Sequence, residues 1–329
     1  MQIGILGSGY YLPELTVTNE ELSHIVDTSD EWIRSRSGIA SRHYANGENC
    51  WEMGVAAARR ALQDAGVEAA QLDGIIFTST TPDYFTPAMA SFVQKALGAE
   101  HAFAFDMNVA CSGFIYALDL ASRYLQDPDM RYILVVSSEA MSHIIDFEDR
   151  TTCVLFGVGA GAVLVGKQGS ELLASVLRTK TELIAALSCR ALDEVTHPFG
   201  QDSRTPVLRM PNERHKLYMS GSEVYRYAVQ ELIDLAQTAC DKAGIAVQDI
   251  DLYVPHQANQ RIIHAAAKHS EIPEDRVVVM LEDTGNLSSA SIPYCLSRLN
   301  EQGRLHKGDL ILICAFGSGL SSGAILLRW

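Results

Sequence analysis

The chain has 329 residues, 47% of them hydrophobic and 20% charged, with a formal net charge of −14. That length and apolar content suffice for one large domain or two fused ones with a sizeable core, and they exclude disorder as the main theme. So acidic a chain does not supply the basic face that phosphate contacts need, which argues against a general nucleic-acid binder and requires a local basic patch for any acidic partner.

The N-terminus, "MQIGILGSGYYLPE", reads as a short strand and turn. It lacks the charged start and long apolar run of a secretory signal, and no window approaches about 18 uninterrupted apolar residues, so a soluble cytoplasmic protein with no membrane partner is expected. "GILGSGYY" is a poor dinucleotide fingerprint, because the third glycine is missing and Pro13 follows in place of a helix. Next, "WEMGVAAARRALQDAGVEAAQLDGIIFTSTTPD" predicts an amphipathic helix, an Ala-Gly stop, a turn and a buried strand opened by Asp73. A strand-like run then ends at Asn108, Cys111 stands at the seam, and "FIYALDLASRYLQD" continues as a helix. "YILVVSSE" reads as a buried strand and "CVLFGVGAGAVLVG" as a Gly-rich, hairpin-like run. Residues 182–221 are irregular and rich in Pro, Arg and His, the kind of insertion beside a rigid scaffold in which pockets and lids are built.

Downstream, "EVYRYAVQELIDLAQTACDKAGIAVQDIDLYVPHQAN" repeats the order helix, Ala-Gly stop, turn, strand. The stops at Gly66 and Gly244 and the acids Asp73 and Asp251 are each 178 apart (244 − 66, 251 − 73). The same offset sets Asn108 against Asn286, aligns "MNVACSG" with "GNLSSAS" and places Ser289 opposite Cys111. Helix "IPYCLSRLNEQG" and strand "LILICAFGSG" follow, and the ending "FGSGLSSGAILLRW" resembles the earlier Gly-rich run at a shorter offset. Strand–helix alternation at this spacing predicts α/β layers with mixed sheets, in two pseudo-equivalent halves, residues 1–170 and 171–329.

Seven cysteines without a C-x-x-C pair suit reduced thiols better than a disulfide framework or a zinc site, and no metal or other cofactor is expected. Cys314 reads as a strand residue and Cys240 and Cys295 as helix interiors, all packing positions. Cys111 has two readings: a small buried hydrophobe, or a thiolate favoured by the positive end of a helix. If the halves face each other across a pseudo-two-fold axis, "NVACS" and "GNLSS" approach each other. Asn286 is then either an N-cap or an amide pointing into the shared space. His256 follows Pro255 at the carboxyl end of a buried strand, the usual ligand edge of an α/β sheet, where it is a solvated loop residue or a general acid/base. "FGSGLSSG" is a tight turn, or a loop whose N–H groups reach a developing oxyanion.

The segments "TSDEWIRSRSGIASRH", "TTPDYFTPAMASFVQ", "NVACSGFIYAL", "DRTTCVLFG" with "GAGA" after Val158, "VPHQANQRII" and "GN" with "SSASIP" after Leu287 carry a resemblance. The chain resembles, end to end, the β-ketoacyl-acyl carrier protein synthase III family of the thiolase-like superfamily. The resemblance implies a five-layered α-β-α-β-α thiolase fold, a homodimer, and decarboxylative Claisen condensation of an acyl-CoA starter with malonyl-acyl carrier protein at the start of fatty-acid synthesis. Cys111 matches the nucleophile, and His256 and Asn286 match the pair that stabilises the enolate. The amides of Cys111 and Ser318 take the oxyanion-hole positions. Trp32 and Arg150 match the adenine-stacking pair of the CoA site, with Thr28 and Arg36 nearby and Gly221 on the pantetheine path. Arg226, Arg261 and Lys268 match the basic positions that receive the carrier protein, which supplies the local patch an acidic partner requires.

Three residues depart from the family pattern: Val158 where Asp is usual, Ser318 where Gly is usual, and Leu287 where Thr or a similar residue follows the Asn. "ALSCRALDEVTHPFG", within residues 185–205, replaces the family's "HSDGS"-like segment. That replacement motivates a second reading, a divergent acyltransferase of secondary metabolism with the same acyl-Cys111 intermediate and a different acceptor.

Overall fold

The computed structural model describes residues 3–192, 210 and 215–329. The first part of the chain forms β1 (Gly4–Tyr11), β2 (Leu15–Thr18), α1 (Asn19–Ser23), α2 (Asp30–Ser37), β3 (Ser41–Tyr44), α3 (Cys50–Ala65), β4 (Gly74–Thr78), α4 (Met89–Leu97), β5 (Phe103–Met107), α5 (Gly113–Tyr124), β6 (Tyr132–Ala140) and β7 (Val158–Gly166). There follow β8 (Glu171–Thr179), β9 (Leu187–Ser188), β10 (Tyr218–Met219), α6 (Gly221–Ala243), β11 (Leu252–Pro255), α7 (Gln260–His269), α8 (Ser291–Glu301), β12 (Leu310–Gly317) and β13 (Ser321–Arg328).

Two sheets carry the fold. One has the order β1-β7-β6-β4-β5 and the other β11-β12-β13-β8. In the first, β4 runs parallel to β5 and β6, while β7 is antiparallel to both β6 and β1. In the second, β11 is parallel to β12, and β13 is antiparallel to β12 and β8. The strands are apolar on both faces because helices cover both, as buried parallel strands require.

Alternation along the strands sorts the residues into layers. Ile76, Ile133 and Val135 of one sheet and Val254, Ile311 and Ile313 of the other pack on Phe114, Leu118, Ile292 and Leu296 of α5 and α8, which form the middle layer. Ile75, Phe77 and Leu134 face α3 and α4 on one outside. Leu312, Cys314 and Leu326 face α6 and α7 on the other. The result is a five-layered α-β-α-β-α stack.

The 178-residue offset runs through this architecture. α3 ends at Gly66 (φ 65°) and α6 at Gly244 (φ 68°), both in the left-handed conformation that glycine adopts without strain. The one-turn 3-10 helices Ala110–Ser112 and Ser288–Ala290 precede α5 and α8 at the same offset, and in each the first residue is left-handed, Ala110 at φ 47° and Ser288 at φ 50°.

Two local expectations change. "CVLFGVGAGAVLVG" is not a hairpin: from Val158 it is one strand, β7, buried throughout between β1 and β6, and only the C-terminal run turns back on itself as β12 and β13. Of the insertion, Leu187–Ser188 pairs with Tyr218–Met219. Residues 193–205 of the altered segment lie outside the described residues. Cys314, Cys240 and Cys295 stand in β12, α6 and α8 and are buried.

Candidate active site

The two 3-10 turns meet at the wall of a cavity of about 650 Å³. Cys111, Ser288 and Ser318 line it, with Thr80, Thr81 and Phe85 on one side and Met141, Ile144, Leu187 and Cys189 on another. Cys111 is half-buried on the turn Ala110–Ser112, two residues before α5 begins. The Ser288 hydroxyl donates to its Sγ at 3.4 Å.

The surroundings of this group oppose the thiolate expected at a helix start. Burial pushes the Cys111 thiol up to about 12, and the negative charge of Glu139 acts in the same direction, opposed by the Ser288 hydroxyl.

Asn286 is buried and its backbone is pinned to residues 155–157 just ahead of β7, its N–H donating to the Leu155 carbonyl at 2.8 Å while its own carbonyl accepts from Gly157 at 3.0 Å. Oδ1 accepts the Ser288 N–H at 2.8 Å. The cap-like bond of the first reading is present at Oδ1, and among the described residues Nδ2 has no partner; Asn286 and His256 stand behind the cavity wall and are not among its lining residues.

His256 is 1% exposed and follows β11, as the apolar strand ahead of it implies. Its Nδ1 lies 2.7 Å from Ser291 Oγ, and its ring packs edge-on against Phe316, one residue before Gly317. Burial pushes its pKa down to about 3, so the imidazole is neutral at physiological pH. The Ser318 hydroxyl donates to the Leu187 carbonyl and ties the β12–β13 turn to the cavity wall, which Cys111 and Ser318 both line. Val158 and Leu287 are packing residues, both buried.

Behind the turn Ser288–Ala290 lies Glu139, fully buried at the end of β6. Its Oε2 accepts from the Thr80 amide at 3.0 Å, Thr80 Oγ1 at 2.8 Å, Thr81 Oγ1 at 3.1 Å and Ser79 Oγ at 3.3 Å, and its Oε1 accepts from Ser289 Oγ at 2.6 Å. Sequence reasoning passed over Glu139 and Ser288. The available signals were a lone acid closing the apolar strand "YILVVSSE" and a serine two residues after Asn286.

A second group of expected residues comes together on α2 and its surroundings. The Arg150 guanidinium lies 5.3 Å from the centre of the Trp32 ring and donates to the Asp27 carbonyl at 3.0 Å. Thr28 Oγ1 is buried without a partner among the described residues, and Arg36 is exposed one helical turn from Trp32. Gly221 opens α6 with open space where a side chain would stand. Arg226 on α6 and Arg261 and Lys268 on α7 are exposed, and Arg261 lies 5.8 Å from the Tyr225 ring centre, so the two helices present them side by side. None of the three makes an ion pair among the described residues.

A thiol on one of two facing 3-10 turns, at the wall of a cavity in a five-layered stack, defines a condensing acyltransferase of the thiolase-like class. Residues 105–181 match 3-oxoacyl-[acyl-carrier-protein] synthase III, and residues 240–329 match the C-terminal part of the same family. The β-ketoacyl-[acyl-carrier-protein] synthase III of Syntrophomonas wolfei is 42% identical, with 100% of this chain and 98% of that protein covered. The crystal structure of 3-oxoacyl-[acyl-carrier-protein] synthase III from Aquifex aeolicus superposes with a TM-score of 0.90 at 39% identity, over 99% of this chain and 100% of that one. The priming β-ketosynthase of the R1128 polyketide pathway superposes at 0.89 and 36% identity, over 99% and 96%. The chain belongs to the β-ketoacyl-[acyl-carrier-protein] synthase III family.

Proposed function

We propose that Cys111 takes the acyl group of an acyl-CoA and passes it to the carbanion formed from malonyl-acyl carrier protein, starting fatty-acid synthesis. The observation that carries this reading is Cys111 on the wall of a cavity that Ser318 also lines, so that the amides of both residues border the space a thioester carbonyl would enter. In the first half-reaction Sγ attacks the thioester carbonyl. The oxygen gathers charge against the two amides, each worth about 3 kcal/mol by analogy with other oxyanion holes. CoA leaves with the proton lost from the thiol. In the second, loss of CO2 from the malonyl group leaves an enolate. A neutral His256 and the unpartnered Asn286 Nδ2 are the donors for its oxygen, and a dry site strengthens both bonds. The enolate carbon then attacks acyl-Cys111 and expels the sulfur.

The Trp32–Arg150 pair supports adenine binding, since a purine can enter between an indole and a guanidinium plane. Arg226, Arg261 and Lys268 suit an acidic carrier protein. The chain acts as a homodimer in the cytoplasm. Tyr84 and Phe85, the latter 74% exposed at the cavity edge, support the dimer. Among the described residues no helix is long and apolar enough to cross a membrane, and no group of three His, Cys, Asp or Glu side chains is placed to hold a metal.

A different acceptor for the same acyl-Cys111 is the second reading, favoured by Leu187–Ala191, the start of the altered segment, lining the cavity. One experiment separates the two: expose the protein to a panel of acyl-CoAs, identify by mass spectrometry the group on Cys111, then add malonyl-acyl carrier protein and measure CO2. Acylation followed by CO2 release is expected. Acylation without CO2 moves the assignment to the second reading, and no acylation from any acyl-CoA removes both.

A further inference from the structure

Ser288 is left without a task by the chemistry above, yet its hydroxyl touches the reacting sulfur. Among the described residues its only hydrogen bond is the one to Cys111 Sγ at 3.4 Å. The hydroxyl is held from both sides: Asn286 Oδ1 takes the Ser288 amide at 2.8 Å, and the next residue, Ser289, is fastened to the buried Glu139 at 2.6 Å. The left-handed backbone at Ser288 does not itself explain the serine, because Ala110, 178 residues earlier, holds the same conformation with no hydroxyl. What distinguishes position 288 is the group it aims at the thiol.

We infer that Ser288 is a catalytic residue, the hydrogen-bond donor that stabilises negative charge on Cys111 Sγ as the thiol ionises. Such a donor offsets the unfavourable charge beside Cys111. Glu139, on β6 behind the turn, opposes a second negative charge, and the other titratable residues on the cavity wall are His143, Cys189, Arg190 and His215. In acyl transfer the Sγ–carbonyl bond forms, the bond from the carbonyl carbon to the CoA sulfur breaks, and the thiol proton ends on the departing CoA. Ser288 keeps its own proton throughout and acts only as a donor. The inference rests on Cys111 being the reacting group, but its test does not require acyl transfer.

The test measures alkylation of Cys111 by iodoacetamide between pH 7 and 10, read by peptide mass, in the wild type and in Ser288→Ala and Ser288→Gly. A hydrogen bond to a charged group is worth enough to shift ionisation about tenfold, so both variants are expected to alkylate about tenfold more slowly at each pH. Glycine suits the left-handed backbone, so Ser288→Gly keeps the test valid if the alanine variant folds poorly. Where an acyl-CoA acylates the wild type, that rate falls by the same factor. Equal alkylation rates in wild type and Ser288→Gly overturn the inference. A tenfold alkylation difference in a protein that no acyl-CoA acylates upholds Ser288 as the donor and removes the proposed acyl-transfer function instead.

Discussion

Gly317 lies flat against the backbone of Cys111: a Cβ built on Gly317 would stand 2.8 Å from the Cys111 amide nitrogen and 3.2 Å from that of Ser112. The same relation occurs at the repeat offset with different chemistry, for Glu139 stands 178 residues before Gly317 and Ser289 stands 178 after Cys111. In one half the strand end supplies a carboxylate that fastens the turn. In the other it supplies only space beside the Cys111 amide.

Filling that space tests the arrangement. In Gly317→Ala the Cβ must displace backbone atoms of the 110–112 turn, and a misplacement of about 1 Å at a reacting group can cost a hundredfold. The expected outcome is acylation slowed about tenfold or more, with a melting temperature within a few degrees of wild type. Unchanged acylation kinetics would show that the Cys111 amide does not hold the oxyanion.

The two half-reactions separate by mutation. Cys111→Ser is expected to abolish transfer from acyl-CoA. His256→Ala is expected to keep acylation within about tenfold while lowering CO2 release about a hundredfold or more, the usual effect of losing a preorganised donor. Equal loss of both half-reactions in the His256 variant would contradict its assignment to the enolate.

Much of this was legible in the sequence, and the reasons are specific. The Ala-Gly stops and strand-opening acids keep a fixed offset because both halves build the same helix–turn–strand unit, so α/β layers in two halves followed from periodicity, while the five-layer order came with the family resemblance. The position of Cys111 at a seam was legible too. Its ionisation was not, because that depends on burial and on Glu139, a residue 28 positions away in sequence (139 − 111) that approaches only when the two turns meet. Nor could the sequence distinguish β7 from a hairpin: small residues that let α8 pack closely on Gly161 read locally as turn formers.

His256 gives stability a pH signature. Unfolded, the imidazole titrates near 6.5, and burial pushes it down to about 3 in the fold. Between those values the unfolded chain binds a proton that the folded chain does not. The contribution is fully present above about 6.5 and declines as pH falls toward 3. The unfolding free energy of the wild type relative to His256→Gln is therefore expected to drop by up to a few kcal/mol between pH 7 and 4. A difference flat across that range would mean that the folded imidazole charges freely.

The adenine stack predicts a split between substrates. Trp32→Ala is expected to raise KM for acyl-CoA about tenfold, in line with loss of an aromatic platform. It should leave kcat/KM unchanged for an acyl thioester of N-acetylcysteamine, which lacks the nucleotide. Equal effects on both donors would place Trp32 away from the CoA site.

Arg261 tests the basic helix face. It stands exposed on α7 beside Arg226 of α6, over the Tyr225 ring at 5.8 Å, in a chain whose net charge is −14. Such a patch works against the repulsion between an acidic enzyme and an acidic partner, and a steering charge acts mainly on the association rate and its salt dependence. Arg261→Glu is therefore expected to lower kcat/KM for malonyl-acyl carrier protein about tenfold at low ionic strength, with a smaller deficit at 0.5 M salt, where charges separated by more than a few ångströms are screened. Malonyl-CoA, which lacks the carrier protein, serves as the control substrate and is expected to be unaffected. A loss that persists at high salt, or that appears equally with malonyl-CoA, would show that Arg261 acts on the fold of α7 and not on the carrier protein.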